Sequence, residues 1–213
     1  MHILIACDQK YYEEWGIELL KSTRYYNPSS WLTLHCHIVN PSKGFEQVKD
    51  VDYTTEALPV LEEPVSIPYL QSVRFLVASN KLPTEQVMIL DADTVCTKEL
   101  LPESFNDVTS NVTVLHHHKK LAIHPWLCGF VTLGTGQFRH DFADNLLKKD
   151  ILEWEYGHDQ DVLNMLSNQY EFNEATTNWI CMGKQNPNSV FLTLKGTHKL
   201  NPKYTNQFER YKF

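Results

Sequence analysis

Two aspartates separated by one small residue, Asp91 and Asp93, directly follow the apolar run Val87–Leu90. Such a run is typical of a short buried strand, and because side chains alternate between its faces, both carboxylates can point the same way. They would then lie beyond the carboxyl end of the strand, where open α/β sheets bind ligands. Neighbouring carboxylates repel unless a cation lies between them, and hard oxygen ligands suit Mg²⁺ or Mn²⁺ together with substrate phosphates. We interpret Asp91-Ala92-Asp93 as a metal and diphosphate site at which Ala92 leaves room for the ligand.

The residues before this pattern predict a βαβ unit, the building block of a parallel sheet. Residues 2–7 are predicted as a buried strand, 8–12 as a polar loop, 13–26 as a helix and 31–39 as a second strand with alternating apolar positions. Later in the chain, periodicity and proline positions predict a strand at 51–54, a helix that Pro68 opens and Pro83 ends, strands at 111–115 and 126–133, and helices at 138–149 and 159–169. The tail contains one further apolar run at 190–194.

The composition indicates one globular domain spanning residues 1–213, without an internal repeat or a linker. The formal net charge of −7 argues against nucleic acid as the main partner, because binding a phosphate backbone requires a basic surface. No apolar run approaches the roughly 20 residues that span a bilayer, and the N-terminus lacks the basic leader of a signal peptide. The 5 cysteines are scattered without CxxC spacing, which fits free thiols in a reducing compartment. We therefore expect a cytoplasmic protein without a transmembrane segment, and an oligomer is left open.

Five segments of the sequence together resemble a known family. They are Ile-Leu-Ile-Ala-Cys-Asp-Gln-Lys-Tyr at 3–11, Tyr-Leu-Gln-Ser-Val-Arg-Phe at 69–75, Ile-Leu-Asp-Ala-Asp-Thr-Val at 89–95, Asp-Gln-Asp-Val-Leu-Asn at 159–164 and Gly-Thr-His-Lys at 196–199. In this order and at these intervals the chain resembles the family-eight glycosyltransferases, which include glycogenin and the bacterial lipopolysaccharide galactosyltransferases. The ordered set is more specific than any one segment.

The resemblance implies a single Rossmann-like GT-A domain, with a mixed and mostly parallel central sheet flanked by helices. It implies transfer of a hexose from a UDP-sugar with retention at the anomeric carbon and with Mn²⁺ (or Mg²⁺) as cofactor. The acceptor stays open among a glycan, a lipid-linked sugar and a protein. The retaining step stays open between front-face attack and a covalent intermediate.

The same resemblance assigns roles to donor-binding residues. Asp91 and Asp93 would hold the metal that bridges the donor diphosphate, next to Ala92. Arg74 would reach the diphosphate or orient the two aspartates. The remaining residues of this group would surround the uracil and the ribose, and they are Ala6, Asp8 and Tyr11.

Further assignments come from the second half of the chain. Asp159 and Gln160 would lie beside the donor sugar and the reacting carbon, as the catalytic candidates. Gly196 and Lys199 would close over the diphosphate, where a lysine contributes a point charge and a glycine permits close backbone approach. His198 is the candidate third metal ligand, because Thr193 stands where the family has its histidine. Leu127-Cys128-Gly129 replaces the family's Asn-Ala-Gly or Asn-Ser-Gly, which leaves the identity of the donor sugar open.

Other interpretations compete with these assignments. The segment Ile-Leu-Asp-Ala-Asp-Thr-Val also fits the nucleophile motif of haloacid-dehalogenase-type phosphatases, in which Asp91 would attack phosphate and Asp93 would act as acid and base. A catalytically weak nucleotide-sugar binding module is the non-enzymatic alternative. Arg74 could be an ordinary solvated helix residue and Asp159 a simple helix cap. The tryptophans could line an acceptor groove or belong to the core, and those concerned are Trp126, Trp154 and Trp179.

Overall fold

The computed structural model describes residues 1–28, 31–58, 66–102, 112–117, 123–182, 186, 188–194, 199 and 201–210. Its strands lie in two sheets. In chain order they are β1 (His2–Asp8), β2 (Thr33–Val39), β3 (Val51–Glu56), β4 (Val87–Leu90), β5 (Thr94–Cys96), β6 (Val112–His116), β7 (Trp126–Leu133), β8 (Phe172–Glu174), β9 (Ile180–Met182) and β10 (Phe191–Thr193).

The strand that precedes the two aspartates is the middle strand of the larger sheet. Among the described residues that sheet has 7 strands in the order β3-β2-β1-β4-β7-β6-β8. Its pairs from β3 to β4 are parallel, as is β6 with β8, whereas β7 runs antiparallel to both β4 and β6. The predicted fold class, a mixed and mostly parallel sheet in an α/β protein, is confirmed. The smaller sheet has the order β5-β10-β9.

Helices cover both faces of the large sheet. In chain order, the helical elements of the described residues are α1 (Gln9–Tyr11), a π-helical turn (Tyr12–Gly16), α2 (Ile17–Tyr26), α3 (Ser66–Lys81), α4 (Gln137–Leu146), a 3₁₀ turn (Ile151–Glu153), α5 (His158–Leu166) and α6 (Pro202–Glu209). Strand β4 contributes Met88 and Leu90 to the core on one face, and Val87 and Ile89 to the core on the other. A strand buried on both faces reads as a continuous apolar run, which explains why the run was visible in the sequence. None of the helices in the described ranges is long and apolar enough to cross a bilayer.

The prediction of a loop at 8–12 is wrong, because helical structure begins directly after β1. The Asp8 carboxylate caps α1 by accepting the backbone N–H of Tyr11 at 2.7 Å. The π-helical turn then carries Tyr12 into the core, where its hydroxyl donates to the Glu46 carbonyl at 2.9 Å. A π turn inside a helix is rare and is frequently found at functional sites. It shifts the helix register directly beside the sheet edge that carries Asp8.

Several predicted boundaries differ by a few residues. Helix α3 begins at Ser66 rather than Pro68, and proline is tolerated there because the N–H groups of a first helical turn have no partner within the helix. Helices α4 and α5 end at Leu146 and Leu166, each about one turn earlier than predicted. The prediction of free thiols is confirmed, since all 5 cysteines are buried and unpaired.

Candidate functional site

A cleft of about 460 Å³ opens at the carboxyl ends of β1 and β4, within the range of about 300–1,000 Å³ that is usual for ligand sites. The parallel pairing of these strands brings the residues that follow them to one edge of the sheet. Helix α3 and the segment before α5 complete its walls. We call it the aspartate cleft, and its described lining residues are Ala6, Cys7, Asp8, Tyr11, Ile67, Leu70, Gln71, Arg74, Asp91, Ala92, Asp93, Tyr156 and Lys199.

The aspartate cleft gathers the predicted donor-binding residues that the structure describes. They come from β1, α1, α3, the turn after β4 and the C-terminal region, and they are Ala6, Asp8, Tyr11, Arg74, Asp91, Ala92, Asp93 and Lys199. Gly196 and His198 lie outside the described residues. The binding roles of all these residues stay predictions.

Arg74 joins the first aspartate to the predicted catalytic one. Its Nη1 donates to Asp91 Oδ1, and its Nη2 lies 3.3 Å from Asp159 Oδ2. Only 7% of its side chain is exposed, which excludes the solvated-helix interpretation. Burial opposes the charge of Arg74, but Asp91 and Asp159 raise its pKa above the ordinary value, so the guanidinium stays ionised. It therefore acts as a charged clamp between two carboxylates.

Asp159 lies behind this clamp instead of in the aspartate cleft. It is buried at the start of α5, and its other oxygen accepts the backbone N–H of Gln160 at 2.9 Å. Burial raises the pKa of Asp159 above that of an ordinary aspartate, although Arg74 opposes the shift. Burial, and then Asp159 itself, also raise the pKa of the Cys128 thiol. Among the described residues lining the aspartate cleft, neither Asp159 nor Gln160 is found.

Asp93 forms an ion pair with a different cation, Lys199. Its Oδ2 accepts the Tyr11 hydroxyl at 2.9 Å and lies 2.8 Å from Lys199 Nζ, which also donates to the Tyr11 oxygen. Burial, and then Asp93, raise the pKa of Tyr11, so the phenol keeps its proton and passes a hydrogen bond from the lysine to the carboxylate. The ammonium also lies 4.6 Å from the centre of the Tyr11 ring and 5.1 Å from that of Trp15.

The smaller sheet holds Asp93 from its other side. Thr193, on β10, donates its hydroxyl to the Asp93 carbonyl at 3.2 Å and lies 3.4 Å from Asp93 Oδ1. The Leu194 N–H donates to the same carbonyl at 3.2 Å. Thr193 thus positions the aspartate, at the place where the resemblance had implied a metal-binding histidine.

The donor atoms of the site fit a hard divalent cation. Asp91 and Asp93 supply carboxylate oxygens, which Mg²⁺ and Mn²⁺ prefer. Among the described residues, three acidic side chains of the aspartate cleft and the buried Asp159 outnumber the cations Arg74 and Lys199, and a divalent ion would add positive charge for an anionic ligand. The described residues contain no group of three His, Cys, Asp or Glu side chains that could hold a metal without other ligands.

Several lining residues were not predicted, and for some of them a signal existed. Ile67, Leu70 and Gln71 precede Arg74 by seven, four and three positions, which places all of them on one face of α3. Counting back from Arg74 by three, four and seven residues, the spacing of one helix face, would have identified these three residues. Tyr156 lines the mouth and is 75% exposed, but no sequence pattern distinguished it from other surface tyrosines.

The three tryptophans have different positions. Trp154 is buried and stacks on Tyr69, with ring centres 5.9 Å apart, so it belongs to the core. Trp126 packs edge-on against Phe172 at 5.3 Å. Trp179 lines a separate surface depression next to β9 and β10. None of the three lines the aspartate cleft among the described residues.

Comparison with solved structures identifies the fold of this chain. No protein-family model matches the chain, and no curated protein matches its sequence. Among solved structures, the galactosyltransferase LgtC in complex with donor and acceptor sugar analogues matches with a TM-score of 0.69 and 14% identity, over 99% of this chain and 95% of LgtC. The bifunctional glycosyltransferase WbbM matches with a TM-score of 0.64 and 12% identity, over 92% of this chain and 46% of WbbM. The glycosyltransferase GlyE of Streptococcus pneumoniae TIGR4 matches at 0.55 and 18%, over 83% and 45%. The chain has the GT-A fold of these glycosyltransferases, as the resemblance implied.

Proposed function

We propose that this chain is a metal-dependent retaining glycosyltransferase that moves a hexose from a UDP-sugar to an acceptor. The observation that carries the proposal is the aspartate cleft, in which Asp91 and Asp93 lie beside Arg74, Lys199 and Tyr11 at the carboxyl edge of a GT-A sheet. LgtC, which shares the fold, was solved with donor and acceptor sugar analogues, and this supports placing a sugar donor here.

The nucleoside would bind where β1 runs into α1. Tyr11 offers an aromatic ring for stacking on a base, and Ala6 is small enough to let the ribose approach. One carboxylate oxygen of Asp8 caps the helix, and the other can accept a hydrogen bond from a base N–H or a ribose hydroxyl. Ala6 and Asp8 lie on β1 and Tyr11 lies on α1 directly after it, so the junction of this strand and helix sets their spacing.

The diphosphate would bind between the two aspartates and Lys199. Asp91 and Asp93 would hold Mn²⁺ or Mg²⁺, which when bound neutralises charge on the departing UDP. Arg74 keeps Asp91 in one orientation, because its guanidinium is fixed from behind by Asp159. Lys199 supplies a mobile ammonium on a flexible stem, suited to phosphate oxygens.

The burial of Asp159 favours one retaining route. Its carboxylate is held by Arg74 and by the N–H of Gln160, and so is not directed at the aspartate cleft. This favours front-face attack assisted by the leaving phosphate over a covalent intermediate on Asp159, which we assign as a positioning residue. Gln160 stays the candidate that touches the sugar, and LgtC likewise has an active-site glutamine, which has been studied as a glutamate variant.

Thermal unfolding with UDP, with and without Mn²⁺, tests the proposal. UDP at about 100 times its dissociation constant should stabilise the protein by roughly 2.7 kcal/mol, only when Mn²⁺ is present. Asp93→Asn should abolish the effect, and Asp144→Asn, at an exposed carboxylate on α4, should retain it. Absence of any UDP-dependent shift would overturn the proposal and direct the next assays to phosphate release.

The stereochemistry needs a separate measurement. UDP-hexoses are incubated with the protein and Mn²⁺, and the first-formed free sugar or transfer product is read by proton NMR before it mutarotates. A product with the anomeric configuration of the donor supports retention. A product with the opposite configuration overturns the retaining part and leaves the nucleotide site in place.

A further inference from the structure

Lys199 is bound at the oxygen that the proposed function assigns to a metal ion. Its ammonium lies 2.8 Å from Asp93 Oδ2 and donates to the hydroxyl of Tyr11, which itself donates to the same Oδ2. Only 8% of the Asp93 side chain is exposed. Each carboxylate oxygen accepts about two hydrogen bonds, so the lysine and the tyrosine together use the capacity of Oδ2.

A divalent cation and this ammonium exclude each other at that oxygen. Two positive charges within a few Å repel strongly where water is scarce. The second oxygen, Oδ1, faces Thr193 Oγ1 at 3.4 Å, and the hydroxyls of Tyr11 and Thr193 restrict rotation of the carboxylate. Binding of a cation at Asp93 Oδ2 therefore requires Lys199 to leave.

We infer that Lys199 is an internal competitor of the divalent cation, and that a nucleoside diphosphate relieves the competition by taking the ammonium onto its phosphates. The identity of the anion rests on the proposed function, whereas the competition rests on the contacts of Lys199 alone. Metal and diphosphate then bind with positive coupling, because each favours the arrangement that the other needs. In their absence, Lys199 neutralises Asp93.

The surroundings of Lys199 allow its ammonium to contact either Asp93 or the phosphates of a bound ligand. Its ammonium lies over the rings of Tyr11 and Trp15, which attract a cation without the directionality of a hydrogen bond. A lysine stem has several rotatable bonds and its ammonium donates in three directions, so it can move between two anions without a change in the backbone. Arg74 differs, because it is clamped on both sides and buried.

Mn²⁺ titration without nucleotide, followed by calorimetry or by the electron paramagnetic resonance signal of free Mn²⁺, tests the inference. Lys199→Met should bind Mn²⁺ about two- to fivefold more tightly than the wild type, the factor expected when a partly exposed competing ion pair is removed. Lys199→Arg, which keeps the charge, should bind no more tightly than the wild type. Lys10→Met, at an exposed lysine on α1, is the matched control and should leave the affinity unchanged.

A second titration measures the affinity for UDP at saturating Mn²⁺. The effect of Lys199→Met on this affinity should be opposite to its effect on the Mn²⁺ affinity. Lys199→Met should bind UDP more weakly than the wild type, because the phosphates lose a cation. Unchanged or weaker Mn²⁺ binding by Lys199→Met would overturn the inference even if UDP binds, and the proposed function would stand. Tighter Mn²⁺ binding by Lys199→Met with no binding of UDP to any variant would support the competition and overturn the proposed function.

Discussion

The guanidinium of Arg74 lies 3.3 Å from the carboxylate of Asp159, across 85 positions of the sequence. The contact joins the middle of α3 to the first turn of α5, and both side chains are buried. Because the same guanidinium also holds Asp91, the packing of two helices determines how the first aspartate of the motif is presented.

Arg74→Met should destabilise the protein by about 3–5 kcal/mol, because it removes the guanidinium that neutralises the buried Asp159 and binds Asp91. Urea unfolding measures the loss. Lys81→Met, at an exposed position of the same helix, is the control and should change stability by less than about 0.5 kcal/mol. Adding Asp159→Asn to Arg74→Met should restore part of the stability, since it removes one unpaired charge. Equal effects of Arg74→Met and Lys81→Met would show that the clamp does not stabilise the fold.

Tyr11→Ala should weaken UDP binding by about 1–3 kcal/mol, which is the usual contribution of stacking a base on an aromatic ring. Tyr11→Phe keeps the ring and should retain most of that affinity, while losing about 1 kcal/mol of stability with the hydroxyl that bridges Lys199 and Asp93. Calorimetric titration with UDP and Mn²⁺ separates the two. Tyr25→Ala, at an exposed tyrosine on α2, should bind UDP like the wild type, and an equal loss there would argue against stacking.

Gly157→Ala should destabilise the protein by roughly 1–2 kcal/mol, because residue 157 has φ +84°, a left-handed conformation that L side chains disfavour. An added Cβ would lie 3.7 Å from Gln160 Nε2, an ordinary contact, so the cost arises from the backbone and not from a clash. Gly136→Ala is the matched control, with φ −82° and nothing within 4 Å of the added atom. Thermal unfolding should show a larger loss of stability for Gly157→Ala than for Gly136→Ala. A larger loss for Gly136→Ala would contradict the explanation.

Glu56→Gln should make the stability less dependent on pH in the acid range. Burial disfavours the charge of Glu56, but the His37 ring, whose Nε2 lies 3.3 Å from the carboxylate, and the hydrogen bond from the Tyr69 hydroxyl lower its pKa below the ordinary value. The stabilisation is therefore complete above the pKa of an unfolded glutamate, about 4.3, and is lost as the pH falls through the lower folded value. We expect Glu56→Gln to be less stable than the wild type by about 1 kcal/mol at pH 7, the usual value of a lost hydrogen bond, and equally stable once the pH is below the folded pKa.

Urea unfolding at several pH values measures the difference between the two proteins. Glu153→Gln, at an exposed glutamate of the 3₁₀ turn, serves as the control for a change of net charge. A difference between the wild type and Glu56→Gln that is the same at neutral and acid pH would show that the ionised carboxylate is not what stabilises this contact.

Most of the central architecture follows from local patterns in the sequence. The apolar run before Asp91 indicated a short buried strand, and it is the middle strand of the larger sheet. The spacing of the two aspartates after it indicated their position at the carboxyl edge. These features depend on neighbouring residues, because the period of a strand or helix is expressed within a few positions. The π-helical turn was not predicted from the sequence. Its first residue, Tyr12, packs edge-on against Phe45 and Tyr53, and these contacts form only in the folded chain.

The partners of each charge were decided only by the tertiary structure. Nothing in the sequence indicated that Asp159 would lie behind Arg74, or that Lys199 would bind Asp93 and also Tyr11, which is 188 positions away. Ion pairs of this kind depend on how helices and strands pack, because a charge that is removed from water binds the countercharge that the fold brings close to it. The sequence determined which residues could form a metal and diphosphate site, and the packing of α3, α5 and the C-terminal region decided which of them hold one another.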